Sequence, residues 1–209
     1  MVVFSKGLLI AGLAWLLLSF IKFALALIPS RWRSNPAPAL GKAGPGIAYS
    51  FTGAMSPSKK ESAFMHLPTY MAGLVFHIGL FSAILFLFIM LIGISLPDWL
   101  SKVFLVVFAA GSLCGSGILI KRIFSPILKS ISNADDFISN IMVTGFQLVS
   151  ALVAWNTDFI DVLFIYSLVL AVYIPLGKLR HSFYFFSSRI ALGIYYGTRG
   201  VWNKKSDLL

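Results

Sequence analysis

Five stretches of the chain are written almost wholly in apolar residues, and polar residues gather between them. They run over residues 7–29, 67–96, 99–120, 137–155 and 161–186. A helix needs about 20 consecutive apolar residues to cross a bilayer, so each stretch is long enough to span one. The pattern therefore predicts an all-α integral membrane protein, one membrane domain over residues 1–209 with five transmembrane helices. A connection at 30–66 and a tail at 187–209 complete it. Residues 7–29 follow Lys6 and contain an Ala24-Leu25-Ala26 triplet, as a secretory signal would. The apolar run exceeds the usual ~7–15 residues of such a signal and Lys22 interrupts it, so a retained helix is expected.

Composition agrees: 58% of the 209 residues are hydrophobic and only 11% are charged. The single cysteine, Cys114, allows no intramolecular disulfide and no multi-cysteine metal or iron–sulfur site.

The net charge of +10 is read through its distribution rather than as a sign of nucleic acid. One side of the expected topology holds Arg31, Arg33, Lys42, Lys59 and Lys60, then Lys121, Arg122 and Lys129, then Lys178, Arg180, Arg189, Arg199, Lys204 and Lys205. The other side holds Lys6 and Lys102 with Asp98, Asp158 and Asp161. Basic loops stay in the cytoplasm, which predicts an N-terminus outside, a cytoplasmic C-terminus and a multi-pass protein of the cytoplasmic membrane. Some of these charges, notably Arg31, Arg33, Lys121 and Arg122, are also suited to docking a soluble partner or neutralising a cofactor's acidic groups. Residues 30–66 include "NPAPALGKAGPG" and "GAMSPSKK", a composition that orders only against something else.

His77 lies ten residues into the second stretch, roughly 15 Å along a helix from its start. An imidazole in hydrocarbon needs a partner, because burying an unbonded polar group costs about 2–7 kcal/mol. His181, late in the expected fifth span and flanked by Lys178 and Arg180, falls in the same cytoplasmic half. Axial ligation of one haem iron by His77 and His181 would satisfy both rings. Hydrogen-bonded packing and a proton relay are the alternatives. Gly73, Gly79, Gly111, Ser112, Gly115, Ser116 and Gly117 are small enough to line a planar ring, and equally suited to close helix packing. Arg122 and Arg180 are placed either to pair with propionates or to snorkel. His66, at the mouth of the second span, needs no ligand role.

At these residues the chain resembles the gamma subunit of respiratory nitrate reductase, a five-span quinol-oxidising cytochrome b. It is similar also to related membrane subunits of sulfite-reducing and heterodisulfide-reductase-like complexes. The resemblance rests on Phe76-His77-Ile78-Gly79, Leu96-Pro97-Asp98-Trp99, Lys121-Arg122-Ile123-Phe124-Ser125-Pro126, Asn133-Ala134-Asp135-Asp136 and Pro175-Leu176-Gly177-Lys178-Leu179-Arg180-His181. It covers residues 67–181, and the "IYYGTRGVW" tail looks closer to the sulfite-reductase-associated relatives.

The resemblance implies that His77 and His181 are the axial pair of the haem nearer the cytoplasm. The subunit would then exchange electrons between menaquinone or ubiquinone and a cytoplasmic iron–sulfur partner. The family's second histidine pair is missing, because the matching regions read Leu85-Phe86-Leu87-Phe88 and Leu163-Phe164-Ile165-Tyr166-Ser167-Leu168. One haem b is therefore expected rather than two. Lys102 resembles a quinol-binding lysine, with an interfacial anchor as its plainer role, and Lys22 is a second candidate contact. A haem-free membrane anchor is the alternative function. A transporter is disfavoured by the absence of an internal repeat and of acidic residues deep in a span. No nucleophile, catalytic base or open metal site is evident, so no substrate chemistry of the chain's own is expected.

Overall fold

The computed structural model describes residues 2–31, 38–59 and 64–202, with side chains described from 2 to 27 in the first of these. Arg33, Lys60, Lys204 and Lys205 lie outside the described residues, as does the side chain of Arg31. The regular structure among the described residues is all helical, with no strand. The helices are α1 (Val2–Arg31), α2 (Ala43–Phe51), α3 (Leu67–Ile92), α4 (Asp98–Phe124), α5 (Pro126–Ser130), α6 (Ala134–Trp155), α7 (Ile160–Leu176) and α8 (His181–Thr198). Among the described residues five segments are long and apolar enough to cross a membrane: Val2–Leu27, Leu67–Ile92, Asp98–Phe124, Ala134–Trp155 and Thr157–Leu176.

Local chemistry explains where these rods stop. Gly93 takes φ +86°, open to glycine without strain, and ends α3 at Ile92 rather than at 96. Pro97 then caps α4. Ser125 precedes Pro126, which disfavours helix at Ser125 and ends α4, while the Ser125 hydroxyl caps α5. Asn133 and Asp136 form a capping box at the start of α6, with the Asn133 N–H donating to Asp136 Oδ2 at 3.0 Å and the Asp136 N–H donating to Asn133 Oδ1 at 3.1 Å.

The expected span over 161–186 is instead two helices. Pro175 lies in the last turn of α7, and Gly177 follows in an extended conformation whose N–H donates to the Tyr173 carbonyl at 2.9 Å. The Tyr173 ring fills the space that a β-carbon on Gly177 would need. A single 3-10 turn, Lys178–Arg180, leads into α8, so His181 is the first residue of a new helix rather than a late residue of the fifth span.

The residues divide into two compact units, and the one membrane domain expected over 1–209 is described in those two parts. The first comprises Met1–Ser19 and Pro68–Leu179. Its core is built from Phe86 of α3, Phe104 and Phe108 of α4, Phe146 and Val153 of α6, Leu163 and Phe164 of α7, and Leu9 of α1. The rings of Phe86, Phe104 and Phe108 lie 5.3–5.5 Å apart, in offset and edge arrangements that aromatic quadrupoles favour. Large apolar side chains such as Leu85, Leu113, Ile141 and Val169 face outward, the arrangement of helices that meet lipid.

The second unit comprises Phe20–Leu67 and Arg180–Leu209. Residues 40–51 of the Gly- and Pro-rich connection lie there against the chain's own tail. Helix α2 lies on α8 through Gly46, Gly193 and Gly197, all buried, where a β-carbon would collide with the facing backbone. The Ser50 hydroxyl donates across the pair to the Arg189 carbonyl at 2.9 Å, and the Leu40 and Gly41 N–H groups donate to the Thr198 carbonyl at 2.8 and 3.0 Å.

Candidate functional site

Helix α3 presents His77 on an exposed face, one turn after Gly73. Imidazole Nδ1 lies 2.6 Å from the Gly73 carbonyl oxygen. A carbonyl only accepts, so Nδ1 carries a proton, and in the neutral ring Nε2 then keeps its lone pair. Histidines that ligate metals commonly show this arrangement, the backbone bond fixing the tautomer and the ring orientation. A β-carbon on Gly73 would meet nothing within 4 Å, so the helix surface beside the ring is open. These residues fit a planar macrocycle ligated by His77 and leaning on Gly73.

The other sequence-derived candidates behave differently. A β-carbon on Gly115 would run into the Phe76 ring and the Thr144 hydroxyl, each at 2.5 Å, so this glycine serves helix packing. Gly79 and Gly111 face each other, with the Gln147 amide between them. Arg122 donates to the Ser132 hydroxyl at 2.9 Å and pairs with Asp136 at 3.4 Å, which engages it inside the bundle end. Lys102 pairs with Asp98 at 2.6 Å, one helical turn away, and both are exposed, as an interfacial anchor would be.

Lys22, Arg180 and His181 are exposed and belong to the second unit, whereas His77 belongs to the first. His66 is exposed just before α3. Among the described residues no group of three or more His, Cys, Asp and Glu side chains is placed to hold a metal ion. A bis-imidazole haem asks the protein for only two ligands, so this does not bear on it.

Two polar features went unread in the sequence. Asp136, its side chain 7% exposed, accepts from Lys178 as well as pairing with Arg122. Beside it the Tyr173 hydroxyl donates to Asp135 and accepts from Ser139 at 3.0 Å. Further along α6, Thr144 donates to Asn140 at 3.1 Å, and Gln147, fully buried, donates from Nε2 to the Phe76 carbonyl at 3.3 Å. The signal was present as polar residues at 136, 139, 140, 144, 147 and 150, one face of a helix at three- and four-residue spacing. At the opposite end of the bundle a cavity of about 250 Å³ is lined by Phe86, Met90, Ser95, Ser101, Val153 and Thr157. Ser101 is the chain neighbour of Lys102.

No family model matches the chain, and neither a curated protein nor a solved structure is significantly similar to it.

Proposed function

We propose that this chain is the membrane-spanning electron-transfer subunit of a respiratory oxidoreductase. In this reading it holds one haem b between His77 and His181 and exchanges electrons between menaquinone or ubiquinone and a cytoplasmic iron–sulfur partner. Its membrane is the cytoplasmic one, with the N-terminus outside and the C-terminus inside. The observation that carries the reading is the His77 imidazole on an apolar helix, with Nδ1 tied to the Gly73 carbonyl and open helix surface beside it. Bound haem would supply a one-electron couple whose potential follows from its ligands and burial. The chain's own part is to fix the His77 tautomer, to leave room at Gly73 and to keep water from the ring with the apolar surface of α3. The basic residues gathered on one side suit an acidic docking partner. The cavity beside Ser101 and the surface near His77 are the two places proposed for quinone.

A second reading, a haem-free anchor for such a complex, draws on Arg122 and Gly115, whose contacts lie within the protein. The reduced-minus-oxidised spectrum of the purified chain, expressed with haem supplied, separates the two. A single b-type signature is expected, abolished in His77→Ala and in His181→Ala and retained in His66→Ala. A folded wild-type protein without that signature would leave the anchor.

A further inference from the structure

The charge of this protein is divided very unevenly. The second unit holds eleven Lys and Arg against Glu61 and Asp207, a net of +9, whereas the first holds six against five, a net of +1. The strongly basic unit is also joined to a membrane span. Phe20 and Phe23 lie within the apolar segment Val2–Leu27, and their rings sit 5.3–5.8 Å from those of Phe183 and Tyr184 in the first turn of α8. Helix α8 therefore begins at the depth where the C-terminal half of α1 lies in the bilayer.

From there α8 turns one face to α2 through Gly193 and Gly197. The opposite stripe, Tyr184, Ser188, Ala191 and Tyr195, is exposed. Guanidinium groups rest on aromatic rings along this helix: Arg189 Cζ lies 5.5 Å from the Phe185 ring centroid and Arg199 Cζ 4.4 Å from that of Tyr195. Tyrosine with arginine, apolar ring below and charge above, is the chemistry of the headgroup layer. A soluble acidic protein would also answer the charge, yet it would not account for the continuity of the aromatic stripe with a lipid-embedded helix.

We propose that the α8 face opposite α2, with Arg199 at its edge and Arg189 on the flank toward α2, binds the headgroups of anionic phospholipids and holds the second unit on the membrane surface. The inference is independent of any cofactor. The test uses the full chain in a Cys114→Ser background, with a fluorophore at Ser188→Cys or Ala191→Cys, reconstituted in phosphatidylcholine vesicles. Each preparation receives spin-labelled phosphatidylglycerol or spin-labelled phosphatidylcholine as quencher.

Phosphatidylglycerol should quench several-fold more strongly than phosphatidylcholine. The excess should fall in Arg189→Gln/Arg199→Gln and, without any substitution, in high salt, which screens headgroup attraction. A fluorophore that neither lipid quenches places the face in water, open to a soluble partner, and overturns the proposal. Equal quenching by both lipids overturns it too, because contact would then carry no selection for charge.

Discussion

Gln147 shows how one residue organises three helices. Its Oε1 has no hydrogen-bond donor and occupies the space that β-carbons on Gly79 and Gly111 would take. Each of those β-carbons would also stand 3.1 Å from the other glycine's Cα. The oxygen therefore rests against glycine Cα–H groups, weak donors that recur where helices touch closely. Gly111→Ala should destabilise the protein by about 1–3 kcal/mol, the usual cost of overfilling a packed site. Gln147→Ala in the same chain should return part of that loss, because it empties the contested space, giving a coupling of about 0.5–3 kcal/mol in a double-mutant cycle. Unfolding of the four proteins in one detergent would measure it, and additive losses would mean that amide and glycines do not share the site. In the sequence Gly79 and Gly111 read as small residues fit either for a ring or for packing. What decides between these is an amide from a third helix, which no spacing within one segment discloses.

At the scale of elements, the five apolar rods were legible because lipid imposes a length and a polarity that the residues display directly. The break at Gly177 was not, since Leu176 precedes it in an apolar run and Phe183-Tyr184-Phe185-Phe186 resumes that run beyond a short basic interval. Helix α2 was hidden for another reason. Its pairing with α8 uses backbone approach at glycines rather than an apolar stripe, and Ala43-Gly44-Pro45-Gly46 reads as loop by composition. Gly197→Val should push α2 off α8, because a β-carbon there already comes within 2.7 Å of the Lys42 carbonyl and 2.9 Å of the Gly46 Cα. Limited trypsin digestion should then cut at Lys42 and Lys59 roughly tenfold faster, as local opening becomes easier, while the bundle of α3, α4, α6 and α7 stays intact. Unchanged cleavage would show that α2 is held by other contacts. Of the candidate site, the sequence places His77 one turn after Gly73, and the structure adds the imidazole bond to the Gly73 carbonyl and the open surface there, while Gly115 and Arg122, considered for the same ring, have partners of their own.

For the whole molecule, the proposed orientation rests on charge rather than on any contact. Insertion keeps Lys- and Arg-rich short segments on the cytoplasmic side, and acidic residues weigh little in that choice. Residues 30–66 and 178–209, together with Lys121, Arg122 and Lys129, hold fourteen of the seventeen basic residues, and the segments between the other span ends hold Lys6 and Lys102. The turn at Gly93 between α3 and α4, with Lys102 paired to Asp98 just beyond it, belongs to the poorly charged side. A green fluorescent protein fused after Leu209 should therefore fluoresce, since it folds in the cytoplasm, and alkaline phosphatase fused there should be inactive. Phosphatase inserted in the turn at 93–97 should be active. The reverse pattern would turn the molecule over, moving the +9 unit away from the anionic leaflet and from any cytoplasmic iron–sulfur partner, and both the electron-transfer and the headgroup readings would then need a different partner.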